Sequence, residues 1–138
     1  MTRDRHDGER GQVLVLSAIV MALLFLPLSI YVIDTAMVES GYAQLGEALQ
    51  ASAEDGATSI DQSLYRNSNG HTVVLDAVNA RDVTDRSMRV SRLTGLDSWS
   101  VVVTQRTVTV TGRLKVQLLV LGSTTLTESR SASLAFGQ

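Results

Sequence analysis

The stretch Gly11-Gln-Val-Leu-Val-Leu-Ser-Ala-Ile-Val-Met-Ala-Leu-Leu-Phe-Leu-Pro-Leu-Ser-Ile-Tyr-Val-Ile33 decides the architecture. No Asp, Glu, Lys, Arg or His interrupts it. A bilayer crossing needs about 20 apolar residues at ~1.5 Å each, so the run predicts a transmembrane helix from Gly11 to Ile33. A cleavable secretory signal has a shorter apolar region, about 7–15 residues, and ends at a small-residue site. This run is longer and ends in Tyr31-Val32-Ile33-Asp34, so a retained anchor is expected. Pro27 lies inside it, removes one helical hydrogen bond and favours a kink that a membrane helix tolerates.

Charge on either side sets the orientation. Arg3, Arg5 and Arg10 precede the run, and the next basic residue is Arg66. Asp34, Glu39, Glu47, Glu54, Asp55 and Asp61 fill the interval. Basic residues resist translocation, so residues 1–10 are expected in the cytoplasm and the remainder outside.

Beyond Asp34, apolar or small residues recur every three or four positions: Val38, Tyr42, Leu45, Leu49, Ala53, Gly56, Ile60 and Leu64. The spacing predicts an amphipathic stalk helix over 34–65, continuous with the membrane segment. Gly41, Gly46 and Gly56 weaken that helix by about 1 kcal/mol each relative to Ala but, with neighbouring alanines, permit close packing. The stripe of Val38, Tyr42, Leu45, Leu49, Gly56 and Ile60 is expected to pack on other subunits, on the chain's own sheet, or on both.

Residues 66–138 form the outer part. Asn67-Ser-Asn-Gly70 is a turn cluster, and Thr72-Val-Val-Leu75 has the composition of a short strand. Asp76 is placed to cap a second helix running to about Thr94, with Gly95 as its stop. Asp82–Arg86 and Asp85–Arg89 have the spacing of surface ion pairs. From Trp99 the period becomes two. Val101 and Val103 form one inward row, and Val108, Val110, Leu114, Val116 and Leu118 a second, with Gly112 in the inward phase as a candidate bulge. A third strand is read from Thr124 to Phe136, with Glu128 and Arg130 in its inward phase. The fold class is α+β: a long membrane and stalk helix, a second helix, then a three- to four-stranded antiparallel sheet.

Composition excludes much chemistry. With no cysteine, disulfides, thiolate nucleophiles and thiolate metal sites are ruled out, and His6 and His71 are too few for a His-rich site. Phosphate-binding and hydrolase motifs are missing, and Glu54-Asp55, adjacent on a helix, point apart. A net charge of −2 gives no reason to expect nucleic acid. Neither an enzymatic activity, a cofactor, a metal nor a small-molecule substrate is expected.

The order of these features is informative. Arg10-Gly11-Gln12 opens the apolar run, Val32-Ile33-Asp34 closes it, and Leu49-Gln-Ala-Ser-Ala-Glu-Asp-Gly-Ala57 follows. A Val-Thr-Val-Thr strand and a Ser/Ala-rich last strand, Thr127 to Ala135, complete the chain. This outline resembles the TadE/TadG-like family of Flp (Tad) pilus-assembly proteins, with Arg10, Gly11, Asp34, Ala53 and Ala57 at family-like positions. Processed pilins usually carry Glu five residues past the cleavage glycine. Leu16 stands there after Gly11 and Val13 after Gly8, so the N-terminus is more like the TadG type. The resemblance implies a pilin-like fold and a non-enzymatic, minor-pilin-like subunit of the fibre or its assembly machine. It also implies oligomeric partners among other Tad/Flp subunits and an inner-membrane location. The alternative is a membrane-anchored extracytoplasmic binding or adaptor domain unrelated to pili.

Overall fold

The computed structural model describes residues 5–120 and 122–134, with side chains from Gly11 onward. Met1–Asp4 of the expected cytoplasmic tail, and Ala135 and Phe136 of the expected last strand, lie outside the described residues.

Helix α1 runs from Arg5 to Ala57 without interruption, through Pro27. At ~1.5 Å per residue it is about 80 Å long. It ends before the expected boundary at residue 65. The Thr58 and Ser59 N–H groups donate back to Asp55 and Gly56 carbonyls, tightening the last turn. Asp61 then starts a new helix, α2 (Gln62–Asn67), its carboxylate accepting from the Ser63 and Leu64 N–H groups. Leu64 is therefore not on the α1 stripe, and its side chain is exposed.

The expected strand at 72–75 is a strap. Ile60 and Leu75 form one isolated bridge. The strap's bonds go to the link between α1 and α2 and to a turn: Asp61 N–H to Val74, Asp76 N–H to Ser59, and Leu75 N–H to Gln105. With those partners taken, the segment adds no strand to the sheet. Helix α3 (Ala77–Val90) is capped by Asp76 as expected, its carboxylate accepting from Val78 and Asn79. It stops four residues short of Thr94, because Arg92 turns left-handed at φ +47° and Leu93 folds against the core.

Strands β1 (Leu96–Val103), β2 (Thr107–Gln117) and β3 (Ser123–Ser133) form an open antiparallel sheet in the order β1-β2-β3. Sequential neighbours joined by short connections make this a meander. The pairing is regular across Gly112, which faces Trp99 on β1 and Glu128 on β3; the register shift lies between Leu96 and Ser98. Gly112 is required for another reason. A Cβ there would lie 3.0 Å from both Leu45 and Leu49 of α1, so the glycine admits the helix onto the sheet.

The core is one cluster. Leu45, Leu49, Ala53 and Ala57 of α1 meet Val101, Val108, Val110, Leu114 and Leu126 of the sheet, with Ala80 and Met88 of α3 closing one side. Trp99, Val103, Val116, Ala132 and Leu134 pack around it. Residues 34–57 thus form the spine of the folded α+β domain, packed along its sheet and α3.

Candidate membrane-facing and assembly surface

Over residues 11–33 every side chain is exposed except that of Ile30, which is half-buried. Among the described residues α1 is the one helix long and apolar enough to cross a membrane, and none of its most apolar window is buried. One hydroxyl inside this segment and one just past it bond back to the helix. The Ser29 hydroxyl donates to the Phe25 carbonyl at 2.8 Å, as Thr35 does to Tyr31 at 2.9 Å. Such back-bonding lowers the cost of a hydroxyl in apolar surroundings. Gly11, at the start of the run, has nothing within 4 Å of an added Cβ.

At the other end Ile33 gives way to Asp34, which is only 7% exposed. Its carboxylate accepts from the Leu119 N–H at 2.7 Å. A charged acceptor from the helix thus ties down the β2–β3 turn, 85 residues away in the chain. Sequence reading placed Asp34 at a family-like position but gave it no partner. It also carried Leu118 as the last inward residue of β2. The strand ends at Gln117, and Leu118-Leu119-Val120 form the turn. The missed signal was the loss of alternation there, consecutive apolar residues before Gly122.

The proposed assembly stripe is largely internal. Leu45 and Leu49 are fully buried beneath the chain's own sheet. Gly56 is buried against α3, where an added Cβ would come within 2.1 Å of the Thr84 hydroxyl. Ala53 and Ala57 are core residues too, and Ile60 lies past the helix, half-buried in its bridge with Leu75. Val38 packs on the edge of the core. Tyr42 is off the buried row and 44% exposed. Gly41 takes that place, its missing side chain leaving room for Val116 and Leu126. In this fold Leu45, Leu49 and Gly56 are therefore covered by their own domain and offer no surface to another subunit.

Glu128 and Arg130 on β3 pair with each other and approach Gly46 on α1. Glu128 Oε2 is buried with no hydrogen-bond partner among the described residues. On α3, Arg86 pairs with Asp82 at 2.7 Å on an exposed face, as the spacing predicts. Asp85 instead accepts from the Trp99 indole N–H at 2.8 Å, which pins α3 to β1. Glu54 accepts from Gln50 and Asp55 from Ser87, so these neighbouring carboxylates serve different partners. Among the described residues no cluster of three or more His, Cys, Asp or Glu is placed to hold a metal ion.

No protein-family model, no curated protein and no solved structure matches the chain.

Proposed function

We propose that this protein is a non-enzymatic, membrane-anchored subunit of a Tad/Flp-type pilus or of its assembly machinery. The observation that carries this reading is the division of α1. Residues 11–33 are apolar on nearly all sides and exposed, and residues 34–57 are the spine of a small α+β domain. Such a chain has a segment suited to lipid or to a bundle of like helices, and a folded head held at one end of it. The order Arg10-Gly11, apolar run with an internal proline, Asp34, small-residue helix and Ser/Thr-rich last strand supports the family assignment. In this reading the N-terminus lies in the cytoplasm and the head outside the inner membrane. Partners are engaged through residues 11–33 and the exposed faces of the head, because the core claims most of the distal stripe.

The test is made in the native host. Deleting the gene should remove surface filaments, the wild-type copy should restore them, and a C-terminally tagged chain should bring down pilus-assembly membrane proteins from detergent extracts. Unchanged filaments, with no such protein co-purifying, would overturn the pilus reading in favour of an unrelated anchored adaptor.

A further inference from the structure

The β2–β3 turn is apolar where a connection facing water is ordinarily polar. Leu119 is 59% exposed and Val120 63% exposed. Neither fills the core, so packing within the domain does not explain them. Their position does. The Leu119 N–H is held by Asp34 at the end of the bare helical segment. Leu118 and Val120 line an open groove whose other wall includes Pro27, Ile30 and Tyr31 of α1. Pro27 lies seven residues before Asp34, about 10 Å along the helix axis. The turn therefore lies alongside the last two turns of the apolar segment. That segment, residues 11–33, is about 35 Å long, slightly more than the ~30 Å hydrocarbon core. Its distal end and the turn share one level, with the groove apolar at Pro27, Ile30 and Tyr31 and lined beyond them by Asp34, Thr35 and Glu39.

Backbone chemistry agrees. The Leu118 N–H donates to the Gly122 carbonyl at 2.7 Å, and the Leu119 N–H to Asp34. Two donors at the tip are thus satisfied without water, which lowers the cost of entry into a bilayer. The left-handed φ of +81° at Gly122 closes the turn without a side chain.

We propose that the β2–β3 turn is a second membrane contact, in which Leu119 and Val120 enter the outer interfacial layer of the bilayer that α1 spans. This rests on the reading of 11–33 as the membrane anchor. The occupant of the surface is lipid, because the turn is continuous with a helix surface whose solvent is lipid in that reading. The head is then fixed at two points, a spanning helix and a shallow wedge, with Asp34 joining them.

The absence of native cysteine makes the test direct. Single-cysteine variants Leu23→Cys, Val120→Cys and Val102→Cys of the full chain carry an environment-sensitive fluorophore in phosphatidylcholine vesicles. Each is quenched in turn by lipids spin-labelled near the headgroup or deep in the acyl chain. Val102 is exposed and pairs with Thr109, eight residues up β2 from Gln117, about 27 Å from the turn. Leu23 should be quenched by the deep label, Val120 several-fold more than Val102 by the shallow label, and Val102 by neither. Leu119→Cys repeats the measurement at an adjacent site, and Trp99 emission of the unlabelled variants checks that the head is folded. Quenching at Leu23, with Val120 and Leu119 no different from Val102, overturns the wedge and leaves the anchor standing. A lack of quenching at Leu23 overturns the anchor and the wedge together. Blue-shifted emission at Val120 without lipid quenching means that protein covers the turn, which also overturns the wedge.

Discussion

Over residues 11–33 helix α1 is exposed save at Ile30, whereas over residues 34–57 it carries one whole side of the buried core. The backbone is the same continuous helix. The difference lies in side-chain pattern. The first half is apolar all round and has no face to choose. The second half buries Val38, Gly41, Leu45, Leu49, Ala53 and Gly56 at least in part, at spacings of three and four, and turns Glu39, Glu47 and Glu54 outward. Overall apolarity selects a solvent, and periodicity selects a packing partner. Small residues have a matching division of labour. In the second half Gly41, Gly46 and Gly56 each face a neighbour too close for a Cβ to enter freely, whereas Gly11 faces open space.

The largest test of this contrast compares two leucines. Leu49 is fully buried and Leu23 exposed. Leu49→Ala should cost the head about 2–5 kcal/mol. Leu23→Ala should leave its stability within about 0.5 kcal/mol. Chemical unfolding of the detergent-solubilised chain, followed by the single tryptophan, Trp99, reads both. Equal effects would erase the distinction between the halves.

The seam comes next. Asp34→Ala removes the acceptor of the Leu119 N–H and should destabilise the β2–β3 turn by about 1.5–3 kcal/mol, the range for a hydrogen bond to a charged group. Amide exchange should accelerate at Leu119 and much less at Val101, in the core of the sheet. Uniform acceleration would mean that Asp34 supports the whole fold and does not mark a boundary.

Glycine substitution sharpens the contrast further. Gly56→Ala brings a Cβ against the Thr84 hydroxyl and within 3.1 Å of the Ala80 carbonyl, and should cost about 1–3 kcal/mol by overpacking α1 on α3. Gly11→Ala meets nothing, and should leave the head unchanged while adding helix propensity. Thermal unfolding of the two variants separates these outcomes. A neutral Gly56→Ala would contradict the close helix contact.

The smallest expected effect is one of acidity. Asp61 is held below its ordinary value of 3.8, chiefly by the Ser63 hydroxyl and then by the Leu64 N–H. A carboxyl depressed in the folded state favours folding when ionised, and that contribution disappears as pH falls through its folded value. Acidification below 3.8 should therefore fray α2 first, seen as faster exchange at Leu64–Arg66, while residues 45–53 of α1 stay protected. Simultaneous loss at both would show that the cap acts on the whole domain.

Much of this architecture was legible in the sequence, because period-3.6 and period-2 patterns are local. The 11–33 run, the Asp76 cap and the inward rows of β1 and β2 could be read directly. Chain direction after Ala57 could not, because the strap that holds Ile60 and Asp61 comes from Val74 and Leu75, beyond the intervening helix α2. The stripe was read one position out at Tyr42. A glycine carries no hydrophobic signal, although Gly41 is the residue that lets Val116 and Leu126 approach. What covers the row stayed open between other subunits and the chain's own sheet, and it is the sheet that Leu45 and Leu49 meet. Periodicity reveals that a face is covered, not whether the cover is a partner or the chain's own sheet. The partnership of Asp34 with Leu119 spans 85 residues and leaves no local trace.

One measurement tests most directly the division of a single helix between lipid and its own head. Single cysteines at Thr2→Cys and Ser131→Cys are exposed to a membrane-impermeant maleimide on intact spheroplasts, and the membranes are then washed at alkaline pH. The expected result is labelling of Ser131→Cys without permeabilisation, labelling of Thr2→Cys only after it, and full retention of both in the washed membrane. Labelling in the reverse order, or labelling of both with release of the chain by the wash, would contradict it.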